Sequence, residues 1–173
     1  MIWIYFLIIL VSCNSTEISK EDVPGISSFN SNTIEDPSIV ISRQNIPLVK
    51  ATSQVLIKNE NSDAILRGRV RADFFDDDGM HISQLLSDSA HIDQKTNNLY
   101  AYGNVKVVSD DSVKLFSNSI LWDNRYELIT STDSVMFTTH NQDTMYGVGF
   151  ESDMDLTDWR IKKPHGVRSA GAR

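Results

Sequence analysis

Asp73 to Gly79 reads DFFDDDG, an acidic run closed by a glycine, which is the composition of a calcium-binding loop. Such a loop needs oxygen ligands at its first, third and fifth positions ahead of the glycine. With Gly79 as that glycine, Asp76 and Asp78 fall in register, but Phe74 takes the first ligand position, so the pattern fails. The four histidines, His81, His91, His140 and His165, form no H-x-H or H-x-x-x-H pair that would offer two imidazoles to one metal ion. Cys13 is the single cysteine, which excludes an internal disulfide and any zinc site built on paired cysteines. The chain contains no G-x-S-x-G elbow, phosphate-binding loop or dinucleotide fingerprint. Most carboxylates fall in segments of turn composition, where solvation accounts for them. The expectation is a protein without catalytic residues, metal or cofactor.

The one residue with a chemical setting of its own is Cys13. It follows Ile2 to Val11, an uninterrupted apolar run of ten residues. A bilayer-spanning helix needs roughly 20 such residues, so this run has the length of an export-signal core instead. Leu10-Val11-Ser12-Cys13 resembles the lipobox of bacterial lipoproteins, in which the cysteine is acylated and becomes the new N-terminus. No Lys or Arg precedes the run, where an export signal ordinarily carries a basic segment. Residues 1–12 are thus expected to be a signal peptide. Residues 13–47, rich in Ser, Asn and acidic residues with Pro24, Gly25 and Pro37, are expected to be a lipidated cysteine and flexible tether. The alternative for this stretch is a partly ordered arm packed on the domain.

The elements beyond it are strands. Among 173 residues, 40% are hydrophobic, enough for one core. Sixteen Lys and Arg against 23 Asp and Glu give a net charge of −7, which argues against a nucleic-acid surface. In Leu66 to Phe74, Leu66, Val70, Ala72 and Phe74 fall on one face and Arg67, Arg69 and Arg71 on the other, the period-two signature of a half-buried strand. Tyr100 to Val107 repeats it, and Val113–Leu115, Ile120–Trp122, Val135–Phe137 and Tyr146–Phe150 are predicted as further short strands. Turn composition separates them at Asp76–Gly79, Lys95–Asn98, Ser109–Ser112 and His140–Asp143. The strands also repeat in sequence. Leu86 to Asp93 aligns with Phe116 to Asp123 at an offset of thirty, and Leu66-Arg67-Gly68-Arg69-Val70 with Ala101-Tyr102-Gly103-Asn104-Val105 at thirty-five. Stacked units of this kind make a two-sheet sandwich with an apolar interior. The predicted domain spans residues 48–166, followed by a tail at 167–173.

The blocks Leu99 to Val105, Leu115 to Asp123 and Gly147 to Asp153, in that order, resemble LptC, the periplasmic component of the lipopolysaccharide export bridge, in its lipobox-bearing form. The resemblance covers roughly Leu48 to Gly166. It implies an all-β, OstA-like fold, a twisted antiparallel β-jellyroll with an open apolar interior that carries acyl chains. The inward alternation set supplies a lining: Val70, Ala72, Ile92, Ala101, Val105 and Val107, with Leu115, Ile120, Trp122, Val135 and Phe137. Alternation alone does not tell an open groove from a closed core; the resemblance implies the groove.

It further implies partner docking along terminal strands carrying Val55, Ile57, Gly147, Gly149, Phe150 and Ile161. The implied partners are lipopolysaccharide, an inner-membrane ABC transporter that delivers it, a bridge protein of the same jellyroll fold, and the membrane through Cys13, with no nucleic acid. The implied location is the periplasmic side of the inner membrane of a Gram-negative bacterium. Arg160, Lys162 and Lys163 could meet lipid phosphates or simply charge an edge against aggregation. The rival class is a lipid-anchored structural or carbohydrate-binding sandwich, for which Tyr100, Tyr102 and Trp159 would be an aromatic platform.

Overall fold

The alternating segments form eleven strands in the computed structural model, which describes residues 32–58 and 62–168. They are β1 (Asn32–Glu35), β2 (Ser38–Arg43), β3 (Ile46–Thr52), β4 (Val55–Lys58), β5 (Ala64–Phe75), β6 (His81–Ile92), β7 (Leu99–Ser109), β8 (Lys114–Asp123), β9 (Leu128–Thr138), β10 (Thr144–Asp153) and β11 (Arg160–Arg168). Every pairing is antiparallel, and β5 to β11 follow one another as a meander. The architecture is the expected all-β jellyroll. Signal peptide and Cys13 lie outside the described residues. Of the span expected as a tether, residues 32–47 instead carry β1, β2 and the start of β3. The reason is visible in the pairing: Ile34 lies opposite Leu56 and Ile41 opposite Val49, so the scattered apolar residues are matched by partner strands and not by a stripe of their own.

The predicted short strands lengthen. Val113–Leu115, from Lys114 on, and Ile120–Trp122 merge into β8, and Val135–Phe137 and Tyr146–Phe150 are parts of the longer β9 and β10. The long strands are interrupted near their middles by register shifts: between Arg67 and Val70, Leu86 and Ser89, Tyr102 and Val105, Ser117 and Leu121, and Val148 and Phe150. A bulge adds a residue to one strand and bends it sharply. Here the bends align from strand to strand into a crease, and the sheet folds over on itself. The first half of β5 pairs with β4, its second half with β3, so one strand serves both layers.

The sequence repeat lands on this crease. Gly68 and Arg69 have φ of 75° and 45°, and Gly103 and Asn104 have 77° and 47°. Two successive residues in the left-handed region turn the chain, and glycine takes the first without steric cost. A Cβ on Gly103 would lie 2.5 Å from Asp88 Oδ2, an atom that also accepts a 2.8 Å hydrogen bond from Asn104 Nδ2. The offset of thirty lands on the turns. Asp93 Oδ1 accepts from the backbone N–H groups of Lys95 and Thr96, and Asp123 Oδ1 from those of Arg125 and Tyr126. Gly103→Ala is expected to lower stability by about 1–3 kcal/mol, from left-handed strain plus displacement of Asp88. Denaturant unfolding measures it, and a loss below that range would show that the elbow adapts.

Candidate functional site

The crease turns one face of every long strand toward the other layer. All eleven residues of the predicted lining fall on that inner face, each 5% exposed or less. Aromatic pairs connect the layers: Phe74 meets Trp122 at 5.8 Å and Phe137 meets Phe150 at 5.2 Å between ring centroids. Leu66, Leu85, Leu99 and Ile129 belong to the same buried surface and continue the alternation that found the others. Among the described residues the buried polar residues are serines, Ser53, Ser83, Ser87, Ser109, Ser131 and Ser152, and none of the buried residues is charged. Their hydroxyls are occupied. Ser53 donates to Val55 O at 3.0 Å, Ser87 to Ser89 O at 3.0 Å, and Ser117 and Ser131 share a 2.9 Å bond at the crease. Such a lining offers uniform dispersion contact and holds no polar group at any one point.

The interior is filled along its middle and opens at two mouths, each a cavity of about 520 Å³. One lies between β2 and the β4–β6 layer, where Ile39, Ile41, Leu56, Ala64 and Ile92 form the apolar wall and Lys58 and Gln94 the rim. The other is walled by Val113, Phe137, Leu156 and Trp159, with His140, Asn141 and Asp143 on its rim. Thr139 contributes a buried hydroxyl there that has no hydrogen-bond partner among the described residues. Between the mouths the layers are tied together. Arg43, at the end of β2, pairs with Glu127 and donates from Nη2 to Asn124 O at 2.7 Å.

A second tie is the turn from β10 to β11. Met154 and Leu156 are buried, Trp122 Nε1 approaches Met154 Sδ at 3.1 Å, and Ser83 donates to the Met154 carbonyl. Trp159 packs on Phe137 with ring centroids 4.7 Å apart. Asp153 organises the turn, accepting from Thr157 N at 2.9 Å, Thr157 Oγ1 at 2.8 Å and Asp158 N at 3.1 Å. Burial works to raise its carboxyl, but the hydrogen bonds from Thr157, Asp155, Asp158 and Ser152 outweigh burial and hold it below the ordinary value. Burial also raises neighbouring Asp155, and there it prevails: Thr157 opposes it, while the Asp153 carboxylate adds to the rise. Nothing in composition marked Met154 and Leu156, because turn residues show no period; only the tertiary fold turns them inward.

The predicted docking edges need correction. Val55 and Ile57 lie on β4, which is covered by β1, with Glu35 opposite Val55 and Thr33 opposite Ile57. Gly147, Gly149 and Phe150 lie on β10, paired on both sides by β9 and β11, and Phe150 is core. The close approach at Gly147 is made by the chain's own β11: a Cβ would stand 2.1 Å from Ile161 Cγ2 and 2.8 Å from Lys163 O. Ile161 does lie on a strand paired on one side only. Among the described residues the strands with one partner are β1 and β2 at one end and β11 at the other. Pro164, which cannot donate to a ladder, sits in β11 as an edge strand allows. Arg160, Lys162 and Lys163 are exposed there, Lys162 facing Glu151 at 3.8 Å.

The aromatic platform does not assemble. Tyr100 stacks on His91 at 4.7 Å on the outer face, whereas Trp159 is turned onto Phe137. The acidic run is spent on its own turn, Asp76 Oδ1 accepting from Asp78 N at 3.0 Å and Met80 N at 2.8 Å. His81 meets Asp110 at 2.8 Å and His91 meets Asp63 at 3.2 Å, in separate places.

A family profile described as OstA-like protein matches residues 43–156, from the last residue of β2 to the buried leucine of the final turn. No curated protein matches the chain.

A depressed carboxyl contributes stability above its unfolded value of about 3.9 and loses it as pH falls through the folded value. Asp153 and Asp73 are both of this kind. Burial acts to raise Asp73, but hydrogen bonds from Arg71 and Gln84 and the charges of Arg71 and His81 prevail. Thermal stability is therefore expected to fall as pH drops below about 4. Asp153→Asn should lower stability at neutral pH, flatten that acid limb, and speed amide exchange at residues 154–158. An unchanged acid limb in Asp153→Asn would remove Asp153 from this role.

Proposed function

The chain belongs to the OstA-like family, and from that premise we propose that it is a non-enzymatic lipid carrier of the LptC kind, passing lipopolysaccharide across the periplasm. The observation that carries the reading is the uncharged apolar interior running between two mouths, with singly paired strands at both ends of the sheet. Each buried methylene is worth about 0.8 kcal/mol, so a glycolipid with several acyl chains does not leave a bilayer for water unaided. A carrier supplies a lining of similar cost, and movement along it requires that no position bind much more tightly than the next. Small and large residues alternate in this lining, as at Ala101, Val105 and Val107 beside Leu115 and Trp122, and every serine hydroxyl within it is already bonded.

In this reading Cys13 is the acylated anchor that holds the domain at the periplasmic face of the inner membrane. Lipopolysaccharide arrives from an ATP-driven inner-membrane transporter. It leaves to a bridge protein of the same jellyroll fold, which adds a strand to an unpaired edge. The edges suited to this are β1 and β2 toward the transporter, in place of β4, and β11 toward the bridge protein, where the sequence placed Ile161. Transport draws on the transporter's ATP, so the domain needs neither catalytic group nor cofactor.

A photo-crosslinking residue at Ile92, on the wall of the first mouth, should capture lipopolysaccharide in cells with an active transporter. The same residue at His91, which faces outward, should not. Absence of adduct at Ile92 in a folded, exported protein would end the lipid-carrier reading. Cys13→Ser should move the protein from the membrane to the soluble fraction; unchanged membrane retention would remove the anchor.

A further inference from the structure

Asp93, Asp123 and Asp153 stand thirty residues apart, and each caps the turn that follows it. The first two turns are polar and point outward; Lys95, Thr96, Asn97, Arg125 and Tyr126 are not buried. The third alone sends apolar side chains into the sandwich, with Met154 and Leu156 buried and Trp159 against Phe137. Leu156 reaches this position with φ of 64°, in the left-handed region that a branched side chain rarely adopts. Among the described residues one backbone–backbone hydrogen bond lies within the turn, Leu156 N to Asp153 O at 3.4 Å. The turn is held by side-chain hydrogen bonds and apolar contact and not by a backbone ladder, so its displacement leaves the strand pairing intact. It also separates two spaces. The second mouth lies on the side of Leu156 and Trp159, and on the other lies a cleft of about 340 Å³ where Ile82, Leu128 and Met154 form an apolar floor rimmed by the carboxylates of Asp76, Asp77, Glu127, Asp153 and Asp155.

We propose that the β10–β11 turn is a displaceable plug: Met154, Leu156 and Trp159 occupy the place of an acyl chain and swing outward when one enters, joining the second mouth to the cleft. This rests on the lipid-carrier reading and specifies how its interior admits cargo. The exchange replaces apolar contact with apolar contact on Trp122 and Phe137 and releases Leu156 from its strained conformation, at the cost of the bonds from Trp122 Nε1 and Ser83 to Met154. An empty carrier with an exposed apolar slot would risk self-association, and the plug keeps that surface covered.

The test uses the full chain carrying Cys13→Ser, so that no acyl group on Cys13 competes for the interior, with the fluorescent fatty acid cis-parinaric acid as probe. The unplugged variant is Leu156→Ser, and Leu156→Met is its volume-conserving control. Expected are faster amide exchange at residues 154–158 in the Cys13→Ser parent when the acid binds, at least ten-fold tighter binding by Leu156→Ser, and parent-like binding by Leu156→Met. Equal affinity in parent and Leu156→Ser, with exchange at 154–158 unchanged, would overturn the plug and leave the carrier reading standing. No binding by any of the three, each folded by circular dichroism, would overturn both. Should Leu156→Ser fail to fold, the exchange of the parent with and without the acid decides alone.

Discussion

Each long strand of this protein must belong to two layers at once, and that is a demand on the backbone before it is a demand on any side chain. A strand of ten to twelve residues cannot serve both layers unless it bends, and it cannot bend inside a ladder without losing register with its neighbours. The bulges resolve this together. Because the shifts recur from β5 to β10, each bent strand finds a bent partner, and some of the backbone groups at the bends find other partners. Gln54 N donates to Gly68 O at 2.9 Å, and the serines of the crease bond nearby carbonyls. The glycines at 68 and 103 are where the bend would otherwise cost most.

The interior follows from the crease. Folding one sheet over itself brings inner faces of the same strands together, so a single alternation pattern lines both walls. That explains why the lining is continuous and uncharged. It also explains why the ends differ from the middle: the last strands at each end have a neighbour on one side only, and the layers part there. The first mouth, bordered by the singly paired β2, is one consequence of stopping a folded sheet, whereas the second is walled by Phe137 and residues of the β7–β8, β9–β10 and β10–β11 turns.

The middle of the interior is closed by two devices of different physical character. Arg43 with Glu127 and the Asn124 carbonyl is a polar tie at the solvent boundary, where water screens the charges and limits their worth. The β10–β11 turn is an apolar tie, its Met154 and Leu156 in dry contact with Trp122 and the surrounding core. An apolar ligand would compete with the second kind of contact and not with the first, and the proposed plug rests on that difference.

Period-two alternation is a local property, written in each strand by the opposed directions of successive side chains, and it identified the inner face and eleven of its residues from Val70 to Phe137, while passing over Leu85, Leu99 and Ile129 on the same surface. The paired Gly-Arg and Gly-Asn steps and the thirty-residue spacing of the capping aspartates were legible too, as a repeat whose meaning, elbow and cap, required the pairing to interpret. What the tertiary structure alone decided was everything that depends on which strand ends up next to which. β4 looked terminal because hydrophobic pattern says nothing of neighbours, and β1 covers it; at the far end β10 was grouped with Ile161 as an edge, and only Ile161, on β11, lies there. Residues 32–47 looked like a tether because their apolar residues have no period of their own, and they became strands by matching β3 and β4. Leu156 looked like one turn residue among several, and a left-handed φ, set by the path between two strands, carried it into the core.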